Sequence, residues 1–111
     1  MVFIIIGDHL TKLRHGIYYI HLASGEIRHE NYENNEDLEW TIPANCPMVN
    51  LVSRTFETES RSDYVTIAGT RYEGSDSINI KVPSSTLLHF KSDGSVTKSG
   101  FVLEWTCVKG N

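Results

Sequence analysis

Leu38-Glu39-Trp40-Thr41-Ile42 and Ile78-Asn79-Ile80-Lys81-Val82 decide the fold class, because apolar and polar residues alternate strictly along both. A period of two puts Leu38, Trp40 and Ile42 on one face of an extended chain and Glu39 and Thr41 on the other. The same pattern sets Ile78, Ile80 and Val82 against Asn79 and Lys81, and Phe101, Leu103 and Trp105 on one side of residues 101–107. Each reads as a strand with one buried face. Further strands are predicted at 2–6, 17–22, 48–56 (Val49 and Leu51 inward), 63–68 (Val65 and Ile67) and 86–91 (Leu87, Leu88 and Phe90). Turn signals separate them every eight to twelve residues, the spacing of a sandwich or barrel.

Composition agrees. Ile, Val and Thr number 10, 8 and 9 in 111 residues, against three Ala. β-Branched side chains suit a pleated surface. The best helix candidate is residues 8–15, where Leu10 and Leu13 stand three apart, and it is too short to be stable without packing. The expectation is a single all-β domain over residues 1–111, an antiparallel β-sandwich of two packed sheets with eight or more strands. That length suits one domain with a real core, without stapling by disulfides or metal.

The net charge of −4 argues against nucleic acid or an anionic membrane, both of which demand clustered positive charge. Residues 26–39 carry Glu26, Glu30, Glu33, Glu36, Asp37 and Glu39 against Arg28, a net −5, so the remainder sums to +1. That segment reads either as a solvated loop or as a surface facing a cation or ligand. No run approaches the ~18–20 apolar residues of a membrane helix, so membrane insertion is not expected. The opening run Val2–Ile6 stops at Gly7-Asp8-His9, short of a signal h-region of about 7–15 apolar residues. Either the chain is a mature or trimmed fragment, or it is not exported.

Three carboxylates carry the chemistry. Glu59 and Asp63 flank Ser60-Arg61-Ser62; if that loop closes a hairpin, their Cβ atoms approach to about 4.5–5.5 Å. Like charges so placed need something positive between them, either Arg61 or a metal. Asp93 lies in Lys91-Ser92-Asp93-Gly94-Ser95, where carboxylates and carbonyls of a glycine-containing turn suit a hard cation such as Ca²⁺, although Asp-Gly is also a common hairpin turn. His9, His15, His21, His29 and His89 show no zinc spacing, and Cys46 and Cys107 have no paired ligand nearby. With no Gly-x-Ser-x-Gly elbow, glycine-rich phosphate loop or Cys-His signature, the chain does not read as an enzyme. A hydrolase would instead cluster His and carboxylate groups in a pocket.

Taken in order, these features resemble a CUB domain, a β-sandwich module found mostly in extracellular proteins. The resemblance runs from Gly25 to Trp105, about three quarters of the chain. Gly25-Glu26-Ile27 with Asn31-Tyr32 is similar to the family's opening, and Asp37 to Ile42 to its Cys-x-Trp-x-Ile strand. Asn50 to Phe56 followed by Glu57-Thr58-Glu59 resembles the strand ending in Phe-x-x-Glu, and Asp63-Tyr64-Val65-Thr66-Ile67 the Tyr-Asp-Tyr-Val-x-Ile segment. Most specific is Phe90-Lys91-Ser92-Asp93-Gly94-Ser95, then Gly100-Phe101 to Trp105, which matches the closing Phe-x-Ser-Asp-x-Ser…Gly-Phe-x-x-x-Tyr pattern.

The resemblance implies a Ca²⁺ site on Glu59, Asp63 and Asp93, with Ser95 helping through its backbone and the Tyr32 hydroxyl bracing the site. It also implies that Tyr32, Glu59, Asp63 and Asp93 form the rim that grips a Lys or Arg of a protein partner. Some relatives bind glycans instead through exposed aromatics, for which Tyr18, Tyr19 and Tyr72 are the unassigned residues here. A metal-free protein- or carbohydrate-binding sandwich is therefore the alternative. Self-association into a homo-oligomer stays open.

The chain departs from the family in its cysteines. Leu38 stands where one half of the first bridge would be, its partner before Asp63 is absent, and the loop there is about four residues short. Leu38 is expected to fill the core instead. The second family pair, expected around residues 69–80, is missing, and Glu33 replaces the Pro of Asn-Tyr-Pro. The shortened loop changes how Glu59 is presented, which leaves Glu57 as the fallback ligand. Cys46 and Cys107 either bridge a loop to the last strand or stay reduced. The resemblance implies an extracellular setting. The missing bridges, leader and Asn-x-Ser/Thr sequon leave a cytoplasmic one as the alternative.

Overall fold

The computed structural model describes residues 23–109, together with the backbone of residues 3–6, 9–12 and 18–21. Among the described residues there is no helix. The described strands run in chain order: β1 (Phe3–Ile6), β2 (His9–Lys12), β3 (Tyr18–His21), β4 (Ser24–Glu30), β5 (Asp37–Thr41), β6 (Met48–Glu57), β7 (Tyr64–Ile67), β8 (Thr70–Glu73), β9 (Asn79–Pro83), β10 (Leu87–Lys91) and β11 (Gly100–Cys107). One sheet has the order β1-β4-β11-β6-β9, the second β5-β10-β7-β8, and β2 pairs with β3 alone. Every pairing is antiparallel. The expected all-β sandwich is the observed architecture.

The core lies between the sheets. Ile27, Val49, Leu51, Phe101, Leu103 and Trp105 of the first sheet meet Val65, Ile67, Leu88 and Phe90 of the second, each at most 1% exposed. Phe90 and Phe101 join the sheets, with ring centroids 5.6 Å apart, and Trp40 stacks on Phe101 at 6.2 Å. Leu38, expected to fill the core, is half-buried and packs against this cluster from its edge. Cys46 and Cys107 form a disulfide that ties the loop before β6 to the last strand.

Four expectations are corrected. The helix candidate at 8–15 contains β2: residues 9–12 are extended and pair with 18–21, and the rest of that stretch lies outside the described residues. The acidic segment, read as a loop or ligand-facing surface, begins inside β4, which takes in residues 26–30. Its Ile27 and His29 are fully buried, so the alternation is present, but a histidine and a glycine share the inward face. Glu59 and Asp63 do not close a hairpin, because β6 and β7 belong to different sheets. Nor is Asp93-Gly94 a hairpin turn; residues 92–99 cross from β10 in one sheet to β11 in the other.

β6 changes parity along its length. Val49 and Leu51 point inward, yet so does Phe56. The register with β11 jumps between Val102↔Thr55 and Leu103↔Ser53, which leaves Arg54 as an extra residue. Such a bulge turns the following residues to the opposite face. β11 approaches β4 so closely that a Cβ on Gly100 would stand 2.1 Å from the His29 carbonyl oxygen, and its φ of +90° suits only glycine.

Candidate cation site

Three sheet-crossing loops meet at one end of the sandwich: 31–36 after β4, 58–63 after β6 and 92–99 after β10. Backbone bonds lace them together. Asn31 N–H donates to the Ser99 carbonyl and Asn35 N–H to the Asp93 carbonyl, both at 2.8 Å, and Ser92 N–H donates to the Glu36 carbonyl at 3.0 Å. Ser92 is buried and spans two loops: its hydroxyl donates to the Glu33 carbonyl at 2.6 Å and accepts from Glu36 N–H at 2.9 Å.

Within this frame Glu59, Asp63 and Asp93 converge, with one oxygen from each carboxylate lying within 4.8 Å of the others. The tight turn 59–63 does what a hairpin would have done, since Asp63 N–H donates to the Glu59 carbonyl at 2.9 Å. Asp63 is fully buried. Its Oδ2 accepts the Tyr32 hydroxyl at 2.6 Å, and its Oδ1 accepts Asp93 N–H at 2.9 Å. The Tyr32 hydroxyl in turn accepts Glu59 N–H at 3.2 Å. One phenol thus holds two of the three acidic residues in place. Burial, and then the bond to Asp63, raise the Tyr32 hydroxyl above its ordinary pKa.

The electrostatics of this group are unbalanced. Among the described residues no Lys, Arg or His forms an ion pair with Glu59, Asp63 or Asp93. Arg61, the alternative counter-charge, does not fill that role, since it forms no ion pair with any of the three carboxylates. Glu59 Oε1 is buried without a hydrogen-bond partner among the described residues. Three neighbouring carboxylates and an orphaned buried oxygen are costly together unless a cation neutralises them. Two oxygens facing each other across Ca²⁺ stand about 4.6–5.2 Å apart, twice the usual Ca–O distance, so the observed span fits that ion.

The remaining residues named from sequence take distinct places. Ser95 enters through its backbone, its N–H donating to Asp93 Oδ1 at 3.2 Å. Glu57 is exposed and stands outside the carboxylate triad. Tyr32 is only 3% exposed and Asp63 0%, so both brace the rim from behind and neither is presented at the surface to a partner. Tyr72 is half-buried against the core, while the side chains of Tyr18 and Tyr19 lie outside the described residues.

Sequence reasoning missed Thr58 and two histidine pairs. Thr58 is buried; its hydroxyl donates to the Asp63 carbonyl at 2.8 Å and accepts Gly74 N–H at 3.0 Å, fixing the turn beneath the site. Nothing in the residue type signals this. The histidines are less scattered than the sequence suggests. Fully buried His29 sits edge-on to Phe90 and Phe101 and pairs with Glu36 Oε1 at 2.7 Å. His89 pairs with Asp37 at 2.5 Å, and that contact first, then the charges of His89 and Lys91, lower the Asp37 pKa. Neither pair lines the cleft beside the site, whose walls include Glu57, Glu59 and Lys98. The alternation Gly25/Ile27/His29 against Glu26/Arg28/Glu30 was the available signal for the first pair.

Comparison of the chain with protein-family models, with curated proteins and with solved structures finds no match.

Proposed function

We propose that this chain is a non-catalytic binding module of CUB-like type, in which Glu59, Asp63 and Asp93 hold Ca²⁺ and the ion-ordered rim engages a basic group of a protein partner. The observation that carries this reading is the acidic triad with no cationic neighbour and one buried, unpartnered oxygen on Glu59. Bound Ca²⁺ would supply that missing charge and rigidify loops 58–63 and 92–99. The three carboxylates exceed the charge of the ion by one, so the rim keeps a residual negative charge that attracts an ammonium or guanidinium tip. Glu59 and Asp93 present that charge; Tyr32 and buried Asp63 set their positions. The ordered residues of the sequence resemblance support the family reading, and the disulfide Cys46–Cys107 accords with an oxidising, extracellular setting.

The experiment is thermal unfolding in millimolar Ca²⁺ and in chelator. A ligand that binds only the folded state stabilises it by about 2.7 kcal/mol at a hundredfold excess over Kd. The melting temperature should rise with Ca²⁺ in the wild type and stay fixed in Asp93→Lys. Equal melting temperatures for the wild type in both buffers would remove the metal from the reading.

A further inference from the structure

We infer that the cleft beside the cation rim selects a partner segment in which a basic residue stands next to an acidic one. The inference rests on the reading that this rim takes a basic group, and it adds the second half of the recognition element. The cleft has a volume of about 460 Å³ and is lined by Glu57, Glu59, Ser60, Ser75, Val96 and Lys98. That is the lower part of the ~300–1,000 Å³ range of ligand sites, room for one or two side chains.

Its charges are of both signs and are kept apart. Glu57 and Lys98 are both exposed, and neither forms an ion pair with any described residue. Two opposite charges on one small cleft that do not neutralise each other leave each open to a counter-charge from outside. Glu57 and Glu59 complement a cation, Lys98 complements a carboxylate, and Ser60 and Ser75 line the same walls. Because the cleft is small, the two charges must come from residues close together in the partner chain.

The walls are built rather than incidental. Gly74, on the same cleft, has φ +63°, a left-handed conformation that favours glycine, and a Cβ there would stand 2.6 Å from Ser60 Oγ. Val96 is 53% exposed and adopts φ +60°, a conformation that a β-branched residue rarely takes. Backbone held this way collects at ligand-contacting surfaces. Here it sets an apolar side chain on the rim, two residues before Lys98.

The test uses blocked tetrapeptides with a central Lys-Asp, Lys-Asn or Lys-Lys, titrated into the protein and followed by NMR shifts of the cleft amides. The wild type should bind Lys-Asp roughly two- to fivefold more tightly than Lys-Asn, the gain of one exposed ion pair. K98E, at an exposed position outside the metal ligands, should reverse the order and favour Lys-Lys; E57Q should weaken all three. An equal affinity for Lys-Asp and Lys-Asn, no binding at all, or an unchanged order in folded K98E would overturn the inference. Ca²⁺ titration of the same samples separates the two readings. If Ca²⁺ binds and the peptides are not distinguished, the cleft inference fails alone. If Ca²⁺ does not bind, the metal reading fails, and the peptide order still decides the role of Glu57 and Lys98.

Discussion

Replacing Tyr32 by Phe removes one oxygen atom and should cost this domain a large part of its stability. The ring stays: Tyr32 packs edge-on against Phe90 with centroids 4.9 Å apart, and Phe keeps that contact. What goes is a hydroxyl that donates to buried Asp63 Oδ2 at 2.6 Å and accepts Glu59 N–H at 3.2 Å. A hydrogen bond to a charged group contributes about 1.5–3 kcal/mol, and the second, neutral bond about 0.5–1.5 kcal/mol. The expected loss is therefore about 2–4 kcal/mol, against a total of about 5–15 kcal/mol for a typical domain. With a urea slope of about 1–3 kcal/mol/M, the unfolding midpoint should fall by at least ~0.7 M with an unchanged slope. The sign of the pH dependence follows from the raised pKa of the hydroxyl. The contribution of Tyr32 is fully present below the ordinary phenol pKa of about 10 and is lost as pH rises through the higher folded value. The gap between wild type and Tyr32→Phe should thus hold from neutrality to about pH 10 and close only above it. A midpoint for Tyr32→Phe indistinguishable from the wild type would refute the claim that this hydroxyl holds the acidic turn together.

Three further outcomes are expected. Gly100→Ala forces a Cβ against the His29 carbonyl at a positive φ, and should cost at least ~2 kcal/mol in denaturant unfolding by prising β11 from β4. Reducing Cys46–Cys107, which spans a sequence separation of 61, or replacing both residues by Ser, should lower stability by up to ~4 kcal/mol, seen as an earlier thermal midpoint in reductant. Asp37, its pKa lowered chiefly by the bond to His89, contributes stability that is present above the unfolded carboxylate value of about 4 and is lost as pH falls through the lower folded one. NMR titration should show that value moving back up in His89→Ala.

How much was legible follows from where side-chain alternation is written in hydrophobicity and where it is not. β5, β9 and β11 announce themselves because large apolar residues fill their inward positions. β4 hides because its inward face is Gly25, Ile27 and His29, and its outward face is Glu26, Arg28 and Glu30, a run of salt-bridged charges that reads as an acidic loop. A buried histidine satisfied by Glu36 does the work of an apolar residue there, and only the fold supplies that partner. β8 (Thr70–Glu73) was missed for a different reason: it is an edge strand whose Thr70 and Arg71 are exposed and whose one apolar residue, Tyr72, is half-buried. In β6 the bulge at Arg54 breaks the period that sequence reading relies on, so Phe56 could not be placed on the same face as Leu51 from alternation alone.

The site was legible as a set of residues and not as a geometry. Glu59, Asp63 and Asp93 do meet, yet through a tight turn and a sheet crossing, where the sequence suggested a hairpin. Arg61 was a counter-charge candidate by spacing, and it forms no ion pair with the triad. Thr58 and Ser92, two buried hydroxyl residues that hold the loops, carry no sequence signal, because their partners are backbone atoms distant in the chain.

The central claim is that the acidic triad is a Ca²⁺ site, and the most direct measurement is calorimetric titration of Ca²⁺ into the wild type and into Glu59→Gln. The orphaned oxygen makes Glu59 the sharpest probe, since the amide keeps the shape and removes the charge. The account predicts a saturable heat with one ion bound per chain, weakened at least tenfold in Glu59→Gln. No heat at millimolar Ca²⁺, or the same isotherm for both proteins, would contradict it.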